Sequence, residues 1–180
     1  TQASALLRAQ GFSEAMHSVF AGSKSQFGFL QSSEVMSQLG LGMSEAPVKV
    51  LNPLNEEQDS LRQTLSFGLF NNLRSNFHLG NSTGRLFEIG KVFALNSSAA
   101  TQKTDSESSP YQESWRLGLS AWGLVTGLWQ KKSDHHPVFE VKAVLENYLR
   151  AVGINSFKWQ SVSNKGEVPA FLHRGQVAFL

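Results

Sequence analysis

The fold class this sequence predicts is α+β, with a mainly antiparallel sheet flanked by helices. Three observations carry that expectation. Stretches with strand character come in hairpin-like pairs, and the helical stretches are few and widely separated. No regular strand–helix–strand alternation, which a parallel sheet needs, runs along the chain.

The elements follow in order. Residues 3–10 carry a helical pattern, and Gly11 suits the left-handed position just past its end. Phe12 to Phe20 is expected as an irregular strand, and a short helix is expected around Ser33 to Leu39. Val48-Lys49-Val50-Leu51 is a β-branched run closed by the turn signal Asn52-Pro53. Leu61, Leu65, Leu69, Leu73 and Phe77 recur every fourth residue, which predicts an amphipathic helix capped by Asp59 or Ser60. Gly68 weakens that helix locally by about 1 kcal/mol relative to Ala.

Gly80 to Gly84 reads as a loop and Arg85 to Leu95 as a strand. The stretch 96–114 is rich in Ser, Thr, Asp and Glu, which predicts a solvated, mobile connection. Trp115 to Trp129 returns to strand character, with alternating Trp115, Leu117, Leu119 and Ala121. Val141, Val144, Leu145, Tyr148, Leu149 and Val152 form a helical stripe ended by Gly153. Phe157 to Val162 and Gly175 to Leu180 complete the strands. No internal repeat or linker interrupts residues 1–180, so a single module is expected.

Composition narrows the function classes. Hydrophobic residues at 41% and charged residues at 17% are ordinary for a soluble globular protein. A net charge of +2 falls short of the basic stripe of a dedicated nucleic-acid binder. The absence of cysteine removes disulfides, thiolate metal sites and Cys nucleophiles, and is compatible with a cytoplasmic protein. No apolar run reaches the length of a membrane span, and the N-terminus lacks a signal-peptide pattern. A start at Thr1 and an end inside a strand-like run predict a piece of a longer chain.

Local chemistry is sparse. His135-His136 beside Asp134, with Glu140 nearby, invites a zinc-hydrolase reading, but no spaced third ligand follows. His17, His78 and His173 stand alone in sequence. There is no GxSxG, no Walker-type loop and no GxGxxG after a strand. Glu88 stands out because it interrupts an apolar strand.

A family resemblance supplies more. Val50-Leu51-Asn52-Pro53-Leu54-Asn55-Glu56-Glu57, then Leu61-Arg62-Gln63-Thr64-Leu65, Gly68-Leu69 and Asn72-Leu73-Arg74, resemble a block reading approximately "NPLSEE…LRTSLLPGLLENLRRN" in phenylalanyl-tRNA synthetase β chains. Leu86-Phe87-Glu88-Ile89-Gly90-Lys91-Val92-Phe93 resembles its companion "LFEIGRVF". Weaker echoes lie at Gly11 to Ala15, Gly123 to Lys142 and Phe171 to Gln176, where Ala143, Arg174 and Gln176 depart from the family pattern.

The resemblance implies a class II aminoacyl-tRNA synthetase-like fold and a catalytic-like core module of the β subunit. Its family-signature structural residues are Asn52, Pro53, Arg62, Phe87, Glu88 and Gly90. It further implies that phenylalanine activation, with ATP and Mg2+, belongs to an α subunit. The β module then packs on α in an (αβ)2 ligase that charges tRNA(Phe) in the cytoplasm. Class II enzymes grip ATP phosphate with an arginine ending a run like "GRVFR". Here that run is Gly90-Lys91-Val92-Phe93-Ala94, and alanine offers no charged fork. No catalytic, cofactor-binding or metal-ligating residue is therefore expected in this chain.

By the same resemblance the first helix is the one used in subunit contact, which makes Leu6, Leu7 and Phe12 interface candidates; filling the chain's own core is the alternative. Glu88 is expected as a buried structural carboxylate paired with Arg62 or Arg85. A stand-alone amino-acid-activating enzyme and a metal-dependent hydrolase using His135 and His136 are the competing functions.

Overall fold

The computed structural model describes residues 1–30, 46–95, 110–123, 136–161, 172 and 178–179. Two compact units emerge. Thr1–His17, Leu65–Gly90 and Arg116–Ser156 form the first; Ser18–Thr64, Lys91–Trp115 and Phe157–Leu180 form the second. No composition shift in the sequence marks this division.

In the first unit, helix α1 (Gln2–Ala9) starts where the Thr1 hydroxyl accepts the Ser4 amide at 3.2 Å, and its end turns through Gly11 at φ +85. Strand β1 (Ser13–Glu14) pairs in parallel with the central strand β4 (Gly84–Leu95), Ser13 opposite Leu86 and Glu14 opposite Phe87. Strand β5 (Tyr111–Trp122) lies on the other side of β4. The sheet is thus mixed, because β1 returns to β4 in the parallel sense.

Helix α3 (Ser66–His78) and helix α4 (Pro137–Ala151) complete this unit, with helix α2 (Ser23–Leu30) belonging to the second. α4 is N-capped by His136, carries Pro137 at its start and turns off at Gly153, φ +90. Leu7, Phe12, Phe87 and Val144 make the core, with Ile89, Leu117, Leu119, Val141 and Tyr148 packed around it. Each fully buried side chain of this kind contributes about 1.5–3 kcal/mol.

On the opposite face of the sheet sits α3. A Cβ at Gly118 of β5 would lie only 2.6 Å from Leu69 Cδ1, so the missing side chain is what lets α3 close onto the strand. Helices therefore cover both faces of β4, and consecutive residues Phe87 and Glu88 are both buried.

In the second unit, β2 (Phe20–Ala21) and β3 (Ser60–Leu61) pair antiparallel, as do β6 (Gln160–Ser161) and β7 (Ala178–Phe179). A 3-10 turn at Glu56–Gln58 precedes β3, and Val48–Val50 pairs with it through the Lys49–Ser60 bridge.

Several sequence expectations change here. The helix expected from Leu61 begins at Ser66, because Leu61 N–H donates to Val48 O at 2.8 Å and Arg62 N–H to Val19 O at 2.8 Å. Those bonds keep residues 60–62 extended. Asp59 caps a different helix: its carboxylate accepts the Ser23 amide (2.6 Å) and hydroxyl (2.5 Å) at the start of α2.

α2 was not expected from the sequence. It is held by buried Gln26, which donates to Ser60 Oγ (3.1 Å) and Leu61 O (3.3 Å) and accepts the Gln63 amide (2.9 Å). The connection expected over 96–114 ends earlier, since β5 starts at Tyr111. There Glu113 meets Lys91 Nζ at 2.6 Å, so a polar stretch is ordered by charge pairing on an exposed strand. Residues 33–39 and 124–129 lie outside the described residues.

Candidate functional site

The chemistry-bearing side chains of the first unit cluster on β4. Glu88 points to the α3 side, where its Oε2 is 2.7 Å from His17 Nδ1 and its Oε1 accepts the His17 backbone N–H at 3.3 Å. Asn72 Nδ2 of α3 stands 3.5 Å from His17 Nε2. With Nδ1–H donating to the carboxylate, Nε2 is left as acceptor for that amide.

Geometrically this is a carboxylate-oriented imidazole, the pairing that in hydrolases prepares a general base. Here the basic nitrogen faces an amide donor, and the ring is wedged against Gly68, where a Cβ would meet His17 Cγ at 2.8 Å. The arrangement ties the exit of β1 to β4 and α3. Its chemistry is orientation and satisfied burial, since no described buried side-chain polar atom lacks a partner.

Arg85, three residues earlier on β4, makes a second knot. Its guanidinium donates to Glu140 of α4 and to the carbonyls of Gly84 (2.8 Å), Trp122 (2.7 Å) and Gly123 (3.3 Å). One planar fork thereby joins the start of β4, the end of β5 and the first turn of α4, which only arginine's fixed array of donors can do. Trp122 Nε1 donates to Asn81 O at 3.0 Å and its ring lies over Gly84, closing the same corner.

In the second unit, Arg62 is buried and donates Nε–H to Lys91 O at 2.9 Å, while its own carbonyl accepts Phe93 N–H at 3.0 Å. Lys91 lies 5.8 Å from the Trp115 ring centre. Ala94 is half-buried in β4 and presents only a methyl group.

The residues singled out in the sequence are now placed. Leu7 and Phe12 lie in the core of the first unit, and Leu6 is half-buried on the same helix. Phe87, Glu88 and Gly90 are buried; Asn52 and Pro53 are exposed before the 3-10 turn. Of the two arginines expected opposite Glu88, Arg85 is engaged with Glu140 and with carbonyls at the start of β4, and Glu88 meets His17 Nδ1. His136 is exposed and accepts the Val138 amide at 3.4 Å as a helix cap; His78 is exposed at the end of α3. His135 and His173 lie outside the described residues. Among those described, no three or more His, Cys, Asp or Glu side chains gather into a metal-binding group, and no helix is long and apolar enough to cross a membrane.

Sequence reasoning missed the role of His17, because its partner is 71 positions away. Glu88 was the legible half: a carboxylate within an apolar strand demands a partner.

Known proteins agree with this architecture. The chain is 45% identical to the phenylalanine–tRNA ligase β subunit of Bdellovibrio bacteriovorus over 98% of its own length and 20% of that protein. It is 32% identical to the β subunit of Carboxydothermus hydrogenoformans over 79% of this chain and 16% of that one. It thus spans between about an eighth and a fifth of the length of the curated relatives it matches. Among solved structures, the pyrrolysyl-tRNA synthetase PylSc of Desulfitobacterium hafniense superposes with a TM-score of 0.55 at 18% identity, covering 91% of this chain and 47% of that one. The fold is therefore the one seen in that synthetase. The family model described as the phenylalanyl-tRNA synthetase β chain CLM domain matches residues 1–180, and the chain belongs to that family.

Proposed function

We propose that these 180 residues act as one non-catalytic structural and assembly module of a phenylalanine–tRNA ligase β subunit. The module packs against a catalytic α subunit in an (αβ)2 enzyme that charges tRNA(Phe) in the cytoplasm. The observation that carries this reading is Ala94. Nucleotide triphosphate needs a charged, forked donor at the end of this strand, and the side chain there is a methyl group. ATP and Mg2+ therefore do not fit this part of the chain, and their site is assigned to the α subunit. The polar knots of β4 support the same reading: His17–Glu88 and Arg85–Glu140 are spent on holding elements together.

Subunit contact is assigned to the outer face of α1. Leu7 and Phe12 are occupied within the core, which leaves Leu6 as the apolar candidate at that face. The test uses the full-length β chain. Alone it is expected to show no phenylalanine-dependent ATP–pyrophosphate exchange, and to co-sediment with α as a complex that does. Exchange by β alone, or failure to associate with α, would overturn the proposal.

A further inference from the structure

We propose that Asn81, Asn76 and Asn72 form a one-way hydrogen-bond relay through which the buried His17–Glu88 pair sets the order of the turn after α3. All five residues lie in the first unit. Asn81 Nδ2 donates to Asn76 Oδ1 at 2.9 Å, and Asn76 Nδ2 donates to Asn72 Oδ1 at 2.5 Å. Asn72 Nδ2 then faces His17 Nε2 at 3.5 Å, and His17 Nδ1 meets Glu88 Oε2 at 2.7 Å. Burial deepens along the same path, from exposed Asn81 through half-buried Asn76, Asn72 and His17 to fully buried Glu88.

The direction is imposed from the buried end. An ionised carboxylate only accepts, so the ring donates from Nδ1 and, as a neutral imidazole, accepts at Nε2. Asn72 must therefore turn its NH2 group to the ring and its oxygen to Asn76. Asn76 is oriented in turn by Asn72 and presents its own oxygen to Asn81. Aligned in one sense, each bond polarises the next.

Residue choice on α3 fits this role. Asparagine is a poor helix former because its side chain competes for backbone groups, yet two stand four residues apart inside this helix. Past its end the chain turns through Gly80, φ +85, with Gly80 N–H on Phe77 O (3.1 Å) and Asn81 N–H on Asn76 O (3.0 Å). That turn brings the Asn81 side chain to Asn76, while the Asn81 carbonyl accepts Trp122 Nε1–H at 3.0 Å. The relay thus ends on the corner where α3, β4 and β5 meet. Two asparagines stand between His17 and Asn81, so the consequence is coupling between residues that share no hydrogen bond.

The experiment follows backbone amide exchange of residues 79–84 by mass spectrometry in the full-length β chain. His17→Leu is expected to speed exchange there roughly fivefold or more. His17→Gln should restore it, because glutamine both donates to a carboxylate and accepts from Asn72. Asn72→Ala cuts the relay on the helix and is the second variant should His17→Leu fail to fold. Alanine is the better helix former, so a purely local effect would slow exchange, whereas a cut relay speeds it. In the Asn76→Ala background, where the relay is already open, neither change should alter the rate further. An unchanged rate in Asn72→Ala overturns the proposal. So does failure of His17→Gln to restore slow exchange, or an equal acceleration by Asn72→Ala with and without Asn76. The readout needs no α subunit, so its outcome is separate from that of the assembly reading.

Discussion

Gly68→Ala sets two effects of opposite sign against each other. Gly68 lies in the first turn of α3, where the change removes glycine's backbone entropy cost, a gain of at most about 1 kcal/mol. A Cβ at this position, however, would lie 2.8 Å from His17 Cγ, 2.9 Å from Nδ1 and 3.2 Å from Cβ. Those atoms are not the loose end of a side chain. Nδ1 is held 2.7 Å from Glu88 Oε2, and the His17 backbone amide is bonded to the same carboxylate.

Relief of the clash has two routes. α3 can lift off the sheet, loosening Leu69 from Gly118, at an overpacking cost of about 1–3 kcal/mol. Alternatively the ring swings off Glu88, which forfeits a hydrogen bond to a charged group worth about 1.5–3 kcal/mol. Either route offsets the propensity gain, leaving a net destabilisation of up to about 2 kcal/mol, or up to roughly 8 °C in melting temperature for a chain of this size.

Denaturant unfolding of wild type, Gly68→Ala, His17→Ala and the double variant measures this directly. In the His17→Ala background the clash is gone and Gly68→Ala should become neutral or stabilising, giving a coupling energy of about 1–3 kcal/mol. A stabilised Gly68→Ala single variant, or the same effect in both backgrounds, would refute the reasoning.

Arg85→Lys cannot span Glu140 and the carbonyls of Trp122 and Gly123 together, so unfolding should show a loss of about 2–3 kcal/mol; unchanged stability would deny the fork its role. The Asp59 carboxyl is held below its ordinary range chiefly by the Ser23 hydroxyl bond and then by the Ser23 amide bond. Because the folded value is the lower one, this stabilisation is complete above the unfolded value near 4 and is lost as pH falls through the folded value. Wild type should therefore lose more stability between pH 6 and 3 than Asp59→Asn, as read by thermal unfolding, and parallel curves would contradict the assignment.

Much of the fold could be read from residue order alone. α1 with its Gly11 stop, strand β4, and α4 with its Gly153 stop all fall where periodicity and glycine put them, because their signals are local. Family membership was legible for the same reason: it rests on contiguous runs, Asn52 to Arg74 and Leu86 to Phe93, whose order survives without any knowledge of contacts. Ala94, which directs the reading away from nucleotide chemistry, is likewise a matter of sequence.

Tertiary structure decided what each polar residue is for. Leucines at every fourth position predict a helix from Leu61, yet strand pairing with residues 19–20 and 48 holds 60–62 extended, and only cross-chain hydrogen bonds set that boundary. His17 looked solitary until folding brought it to Glu88, and the role of Gln26 in α2 became visible only when its partners Ser60 and Gln63, more than thirty positions away, were placed beside it. Leu7 and Phe12 were equally good core or interface residues by composition; closure of α1 and α4 over β4 placed both inside. Local propensity and contiguous motif are properties of the chain, whereas burial and pairing are properties of segments tens of residues apart that meet only when folded.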